Sequence, residues 1–505
     1  MSRIREQVDD AITIEGGTDV RQAKQVLRNP RFLALFGSQI LTQVGGNMVL
    51  FGLTVTVFGL TGSNTSVSLL LLTFLVPAVV FGAIAGVFVD MFDRRLILVS
   101  TNFARGGLYL LLIFLPDQLI LIYVVTAIVA TLTTFFGPAE AAMIPLVVKR
   151  DQLLAANSLF ILMLQASFVL GFALLGPLAL TVLGIELLIV IVAAAYGVGG
   201  LLCWALPSAP ASQAGMASLA SARSAVSATY QQLREGLTYI HDHRNILWSL
   251  IYLAITASLI GVLGALGPAF AKDVLGLEEG DLVVILAPLG AGLISGIVVL
   301  NLIGKYLPRR HLIEGGMLAL AGSLIVLGLV QNLPILRNGD DISALIAVVV
   351  VVAFTAGVCY AFVAVPAQTS LQEELPSDVR GRVFGVLNML VSLASFVPII
   401  VAGPLADVIS AAATIVISAV IVGAIGVASI LFARPTITGS ARPVNVEPMD
   451  PMTITTASST LNRPFRLRYV AEDVEGTRPI QIIASPVVPG RAGPAIERPP
   501  EPPRG

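Results

Sequence analysis

Two charged residues sit inside otherwise apolar stretches of this chain. Arg105 lies ten residues beyond Arg95, which in a regular helix places it roughly 15 Å along the axis. Glu140 is the clear acid inside an apolar run of the first half. A cation at hydrocarbon depth costs about 2.5–3.5 kcal/mol on insertion scales, so Arg105 needs a partner, and Glu140 is the best candidate. Two roles stay open for the pair: a structural ion pair, or part of a proton or substrate site. Proton coupling requires a carboxyl tuned by burial, and few other acids are available for it. Further polar groups recur at helical spacing. Gln39, Gln43 and Asn47 are each four apart, and Thr126, Thr133 and Glu140 each seven apart, so each set shares one helix face. Such faces line a polar path, or they bond between helices at about 0.6 kcal/mol per contact.

The elements that must hold these residues follow from composition. The chain has 505 residues, 56% hydrophobic and 12% charged. Soluble domains are roughly 45–50% apolar and about 25% charged. Mean hydropathy is +0.89. An integral membrane protein is the class that fits, and continuous apolar runs without alternation disfavour a transmembrane barrel. The expected fold class is all-α, with twelve transmembrane helices in two six-helix bundles. The runs cover about 32–59, 66–90, 95–116, 118–144, 153–181 and 184–206, then 246–271, 282–304, 311–331, 342–366, 382–408 and 411–433. This divides the chain into a tail at 1–30, a bundle at 31–206, a linker at 207–245, a second bundle at 246–434 and a tail at 435–505.

Charge distribution predicts orientation. Arg94-Arg95, Lys149-Arg150, Arg223, Arg234, Arg244, Lys305, Arg309-Arg310, Arg380 and Arg382 fall on the side of the N-terminus, whereas the opposite loops carry Lys272 and Arg337. The positive-inside rule then puts both termini and the linker in the cytoplasm of a multi-pass cell-membrane protein. Within the linker, Val226, Tyr230, Leu233, Leu237 and Ile240 recur at spacings of four and three, which predicts an amphipathic helix. The proline-rich stretch 435–505 lacks sustained periodicity and is expected to be disordered. Cys203 and Cys359 lie in apolar runs and read as small buried hydrophobes. No nucleotide loop, metal-ligand cluster or nucleophile elbow is visible, so neither a cofactor, a metal, catalysis nor nucleic-acid binding is expected.

An internal repeat accompanies the two sets of runs. Pro138-Ala139 followed by Pro145 and Asn157 is echoed by Pro366-Ala367, Pro376 and Asn388. The segment GFALLGPLAL at 171–180 is echoed by VPIIVAGPLAD at 397–407. The turn at 86–95, GVFVDMFDRR, together with Pro138-Ala139, Arg234-Glu235-Gly236-Leu237 and Arg380-Gly381-Arg382-Val383, resembles the major facilitator superfamily. The likeness is to its macrolide and enterobactin exporter branch. Met91 stands where a basic residue is usual, Asp93 where the wider superfamily has Gly, and Glu140 where this branch often has Arg.

The resemblance implies an alternating-access transporter. It makes Asp90, Asp93, Arg94 and Arg95 a conformational latch facing Arg380 and Arg382. It makes the first, fourth, seventh and tenth spans the cavity wall, adding Tyr252, Thr256, Thr355 and Tyr360 to Gln39, Gln43, Asn47, Thr126 and Thr133. Gly171, Gly176 and Pro177 resemble a weakened exporter motif for helix packing and bending. The partners implied are a small-molecule substrate, protons as the coupling ion and the lipid bilayer, with the chain acting as a monomer. Proton-coupled drug or metabolite efflux leads this reading. Siderophore export, lysophospholipid flipping and a non-transporting receptor are its alternatives.

Overall fold

The structure, a computed structural model, describes residues 24–114, 118–210, 244–277, 282–304, 306–330, 342–374, 380–432, 465–469 and 482–486. Helix α1 (Pro30–Thr61) starts on Asn29, whose side chain accepts from the backbone N–H groups of Arg31 and Phe32. Pro30 needs no hydrogen-bond partner at this first position, and Gly62 ends the helix in the left-handed conformation. Then follow α2 (Asn64–Met91), α3 (Arg94–Phe114) and α4 (Leu119–Val147). Helix α4 runs through Pro138 and Pro145, past the end at 144 expected from the sequence. Prolines are tolerated inside such helices because neighbouring helices re-satisfy the freed carbonyls.

The next crossing is irregular. Helix α5 (Leu153–Phe168) widens into a π-helix at Val169–Leu175 and passes into α6 (Gly176–Trp204). Pro177 lacks an N–H for the preceding turn, and the wider turns accommodate that loss. At Gly184 the backbone takes φ 79° and ψ 171°, which breaks the helix. The chain reverses there. Gly171 and Gly176 lie against Val44 and Phe51 of α1, in the same sense along it. Beyond the break, Gly52 faces Ile185, Gly45 faces Val192 and Gly37 faces Leu202, in the opposite sense.

The second set is α7 (Arg244–Asp273), α8 (Val283–Ile303), α9 (Arg309–Gly328), α10 (Ile342–Glu374), α11 (Arg380–Ile409) and α12 (Ala411–Phe432). Helix α10 continues eight residues beyond the end expected at 366, because Pro366 is carried inside it. Among the described residues ten helices are long and apolar enough to cross a membrane. One of these, 155–204, makes two passes because of Gly184, and the apolar stretch Ala394–Ile409 belongs to α11. The result is the all-α membrane architecture with about twelve passes. Phe114, Ile120 and Val408 are among the large apolar side chains turned outward, as lipid contact allows. Asn29 donates to the Val147 carbonyl at 2.6 Å, tying the start of α1 to the end of α4. The face carrying these ends and the 92–93 turn is called the basic face below, and the opposite one the far face.

Residues 437–505 form a separate unit. In it, β1 (Phe465–Tyr469) and β2 (Ile482–Pro486) pair antiparallel, with Phe465 opposite Pro486 and Tyr469 opposite Ile482. These ten residues correct the expectation of disorder for the whole of 435–505. The sequence FRLRY alternates apolar and basic residues, the period of a strand. The amphipathic helix expected at 226–240 lies outside the described residues.

Candidate functional site

Arg105 is buried at 3% exposure, where α3 meets α1, α4 and α6. Its guanidinium donates to the Asn102 side-chain oxygen, to Thr133 Oγ1 at 3.2 Å and to the Thr101 carbonyl at 3.3 Å. The rings of Phe136 and Tyr196 lie 4.5 and 4.8 Å from its carbon, close enough for cation–π attraction. Asn102 donates onward to Ser38 Oγ at 3.2 Å, which also accepts from Cys203 Sγ at 3.2 Å. Four helices thus meet on one chain of polar groups.

Glu140 belongs to the same buried cluster, but the ion pair with Arg105 expected from the sequence is not made as a direct contact among the described residues. Thr133 and Glu140 share a face of α4, yet seven residues put them roughly 10 Å apart. Arg105 reaches Thr133, at one end of that interval, and lies against the Phe136 ring. Glu140 Oε1 is consequently buried without a hydrogen-bond partner. Orphaned buried carboxylate oxygens are costly and rare, and they concentrate where charge or protons are handled.

The other predicted cavity residues separate into groups. Gln39 and Asn47 are buried on α1, and Gln43 is half-buried beside them. Asn47 Nδ2 has no partner. Behind Asn47 sits Gly171, where a methyl group would fall 2.5 Å from the Val44 carbonyl oxygen, so only glycine allows the π-helix this close to α1. Gly176 and Pro177 are buried in the same contact. Thr126 is buried and spends its hydroxyl on the Ile122 carbonyl of its own helix, while exposed Thr355 bonds Val351. Tyr360 lines an apolar cavity between the π-helix of the first half and α7–α10 of the second, and Thr256 spends its hydroxyl on the Tyr252 and Leu253 carbonyls of its own helix. Phe168, Phe172, Leu263, Leu289, Leu293 and Gly357 supply much of the rest of its wall.

Tyr252 is buried inside the second bundle, with its hydroxyl 2.5 Å from Ser429 Oγ of α12, and is not among the residues lining that cavity. Ser429 donates to Glu314 at 3.3 Å, and Arg310 Nε donates to the same carboxylate oxygen at 2.6 Å. The reading of the residues missed Glu314. The signal was there: Arg310 and Glu314 are four apart on one helix face.

At the basic face Asp90 is exposed, and Arg94 of the same turn donates to it at 3.1 Å. Asp93 caps α3, accepting from the Arg95 N–H at 2.9 Å. It also accepts from Ser208 Oγ at 2.5 Å and the Ala209 N–H at 3.2 Å, which fastens the end of α6 to this turn. Burial pushes the Asp93 carboxyl up, but the Ser208 hydroxyl and the backbone N–H groups of Ala209, Arg95 and Leu96 together hold it below its usual value. The Arg95 guanidinium lies 5.5 Å from the Trp204 ring. Arg380 and Arg382 open α11, and their side chains lie outside the described residues.

With about twelve passes, a polar first bundle and a cavity between the halves in view, comparison with known proteins decides the family. The Major Facilitator Superfamily model matches residues 35–398. This chain belongs to the Major Facilitator Superfamily. Among curated members of the superfamily, it is 25% identical over 425 residues to the multidrug efflux pump Tap of Mycolicibacterium fortuitum, covering 81% of this chain and 96% of that one. It is 21% identical over 385 residues to macrolide efflux protein A of Streptococcus pyogenes, covering 75% and 89%. It is 22% identical over 386 residues to the uncharacterized MFS-type transporter YfiS of Bacillus subtilis, covering 76% and 89%. The fold is similar to the crystal structure of the nucleoside transporter NupG, at TM-score 0.57 and 14% identity over 81% of this chain and all 100% of that one. Members of the superfamily are membrane transporters of small molecules, and the resemblance read from the 86–95 turn agrees with the efflux relatives.

Proposed function

We propose that this transporter exports small hydrophobic or amphipathic compounds in exchange for protons, by alternating access between two six-helix halves at 31–206 and 246–434. The observation that carries the substrate class is the cavity behind Tyr360. Its wall is almost wholly carbon, and Tyr360 is the one lining residue that carries a polar side-chain group. Such a site favours compounds that lose more by staying in water than they gain from directed hydrogen bonds. Similarity to the multidrug efflux pump Tap and to macrolide efflux protein A supports export.

Proton coupling is assigned to Glu140, with Arg105 as the fixed cation of its cluster. The unpartnered oxygen of Glu140 supports this, because a proton there replaces a missing hydrogen bond. Orientation follows the basic residues: the basic face is cytoplasmic, both termini lie there, and the protein acts as a monomer in the cell membrane. A C-terminal reporter that works only in the cytoplasm checks the orientation. In the outward-open state, Asp90 leaves Arg94 and engages the start of α11 at Arg380 and Arg382.

The substrate reading is tested by dye accumulation in cells. Cells producing the transporter should accumulate less of a lipophilic dye than control cells, and a protonophore should abolish the difference. Leu293→Trp, which fills the cavity, should do the same without reducing the amount of protein in the membrane. Equal accumulation in all cells at equal expression would remove the proposed substrate class.

A further inference from the structure

Helices α2 and α11 lie side by side in opposite directions, one from each half. At the far face the last turn of α11 meets the first turn of α2. Asp407 accepts there from Ser63 Oγ at 2.7 Å, the Asn64 N–H at 2.7 Å, Asn64 Nδ2 at 2.9 Å, the Thr65 N–H at 3.0 Å and Thr65 Oγ1 at 2.6 Å. The carboxylate therefore caps a helix of the opposite half, satisfying N–H groups that α2 cannot bond internally. Ser63, the N-cap of α2 itself, is drawn into the same cluster through its hydroxyl. One turn deeper, Gly403 brings the two backbones together: a methyl group there would lie 2.5 Å from the Asn64 carbonyl oxygen.

At the opposite end of this helix pair, the described contacts of Asp90 stay within its own turn. A carboxylate stands at the C-terminal end of each helix, and among the described residues the one at the far face grips the other half. We propose that Asp407 is the latch of the far face, and that this structure is the state in which that face is closed. The inference rests on the alternating-access reading. A static weld between halves would be buried. Asp407 is exposed, so water can take over its hydrogen bonds when the halves part, and the clasp can open in every cycle.

The test measures the far face directly. Spin labels at Ile120→Cys of the first half and Leu329→Cys of the second, both exposed, report its width in the full chain in nanodiscs. The closed, shorter distance should dominate, and Asp407→Asn should raise the ratio of long to short distances about tenfold, through loss of charge-assisted hydrogen bonds. Ser63→Ala with Thr65→Ala should shift it in the same direction by a smaller factor, and this pair keeps the test decisive if Asp407→Asn lowers the yield of folded protein. Distances unchanged in the Ser63/Thr65 variant, or in a folded Asp407→Asn variant, would overturn the latch. The measurement needs no substrate, so the latch can fail while export stands, and export can fail while the latch stands.

Discussion

Arg105 and Glu140 share one buried cluster without a direct contact: the Arg105 guanidinium carbon lies 4.5 Å from the centre of the Phe136 ring, and its hydrogen bonds go to other residues. The arginine is held by Asn102 and Thr133, and the glutamate is left with an unpartnered oxygen. The cluster is thus divided into a cation held by neutral polar groups and a carboxyl with an unpartnered oxygen.

That division predicts opposite outcomes for two substitutions. Glu140→Gln should leave thermal stability in detergent unchanged or higher, since no ion pair is lost, and should abolish proton-driven efflux. Arg105→Ala strips several charged hydrogen bonds from a buried site and should destabilise the fold by about 3 kcal/mol. Arg105→Lys should fail to restore full stability, because an ammonium group cannot lie flat on Phe136 and Tyr196 while reaching Asn102 and Thr133. Melting curves alongside efflux rates separate these cases. Equal destabilisation by Glu140→Gln and Arg105→Ala would mean that the two act as an ion pair.

The close approach at Gly171 predicts a packing asymmetry. Gly171→Ala must push the π-helix away from Val44 and should cost about 1–3 kcal/mol. Gly107→Ala, where nothing lies within 4 Å of the added methyl, should be neutral or stabilising by a few tenths of a kcal/mol up to about 1. Thermal shifts of the two purified variants compare them directly. Similar shifts would show that the α1 contact is not tight.

Much of this fold is legible because its helices are continuous apolar runs. Every crossing read from the residues is within a few positions of a helix or a break in one. The exceptions are helix ends, since Pro145 and Pro366 look like stops and are instead carried inside α4 and α10. The site was harder to read. Gln39, Asn47, Thr133 and Glu140 stood out because polar residues are rare here, but spacing on one helix does not say which neighbour a side chain meets. Tyr252 therefore read as a cavity residue and is bonded to Ser429 instead. The cavity itself is built from leucine, phenylalanine and glycine, the residues that also fill every span, so nothing marks it until the helices are assembled. The Asp407 clasp joins residues more than 340 positions apart and became visible only in three dimensions.

Asp93 predicts a pH dependence at the basic face. Its carboxyl titrates below its ordinary value of 3.8, so the folded protein favours the charged form. The stability it adds is present in full above that ordinary value and is lost as pH falls through the folded-state value. Acidification into that range should release residues 208–209 from the turn, readable as faster protease cleavage of the linker. Asp93→Ala should cost about 1 kcal/mol at neutral pH and flatten this acid response. Wild-type and variant curves that stay parallel down to acid pH would assign the response to other groups.

Tyr252 and Tyr360 should differ in kind. Tyr252→Phe removes a hydrogen bond inside the second bundle and should lower stability by about 1 kcal/mol with substrate affinity unchanged. Tyr360→Phe removes the one polar side-chain group of the cavity wall and should weaken binding of amphipathic compounds more than of purely apolar ones. Ligand-induced thermal shifts across a graded series of compounds distinguish them. An equal loss of affinity in both variants would place Tyr252 at the cavity after all.

The account stands most directly on flux in a purified system. Transporter reconstituted into proteoliposomes, loaded with a lipophilic fluorescent compound and given a proton gradient, should move the compound against its own gradient. Flux should collapse with a protonophore, in Glu140→Gln and in Leu293→Trp. Gradient-independent flux that Glu140→Gln leaves intact, or no flux for any lipophilic compound while a strongly polar one is carried, would contradict it.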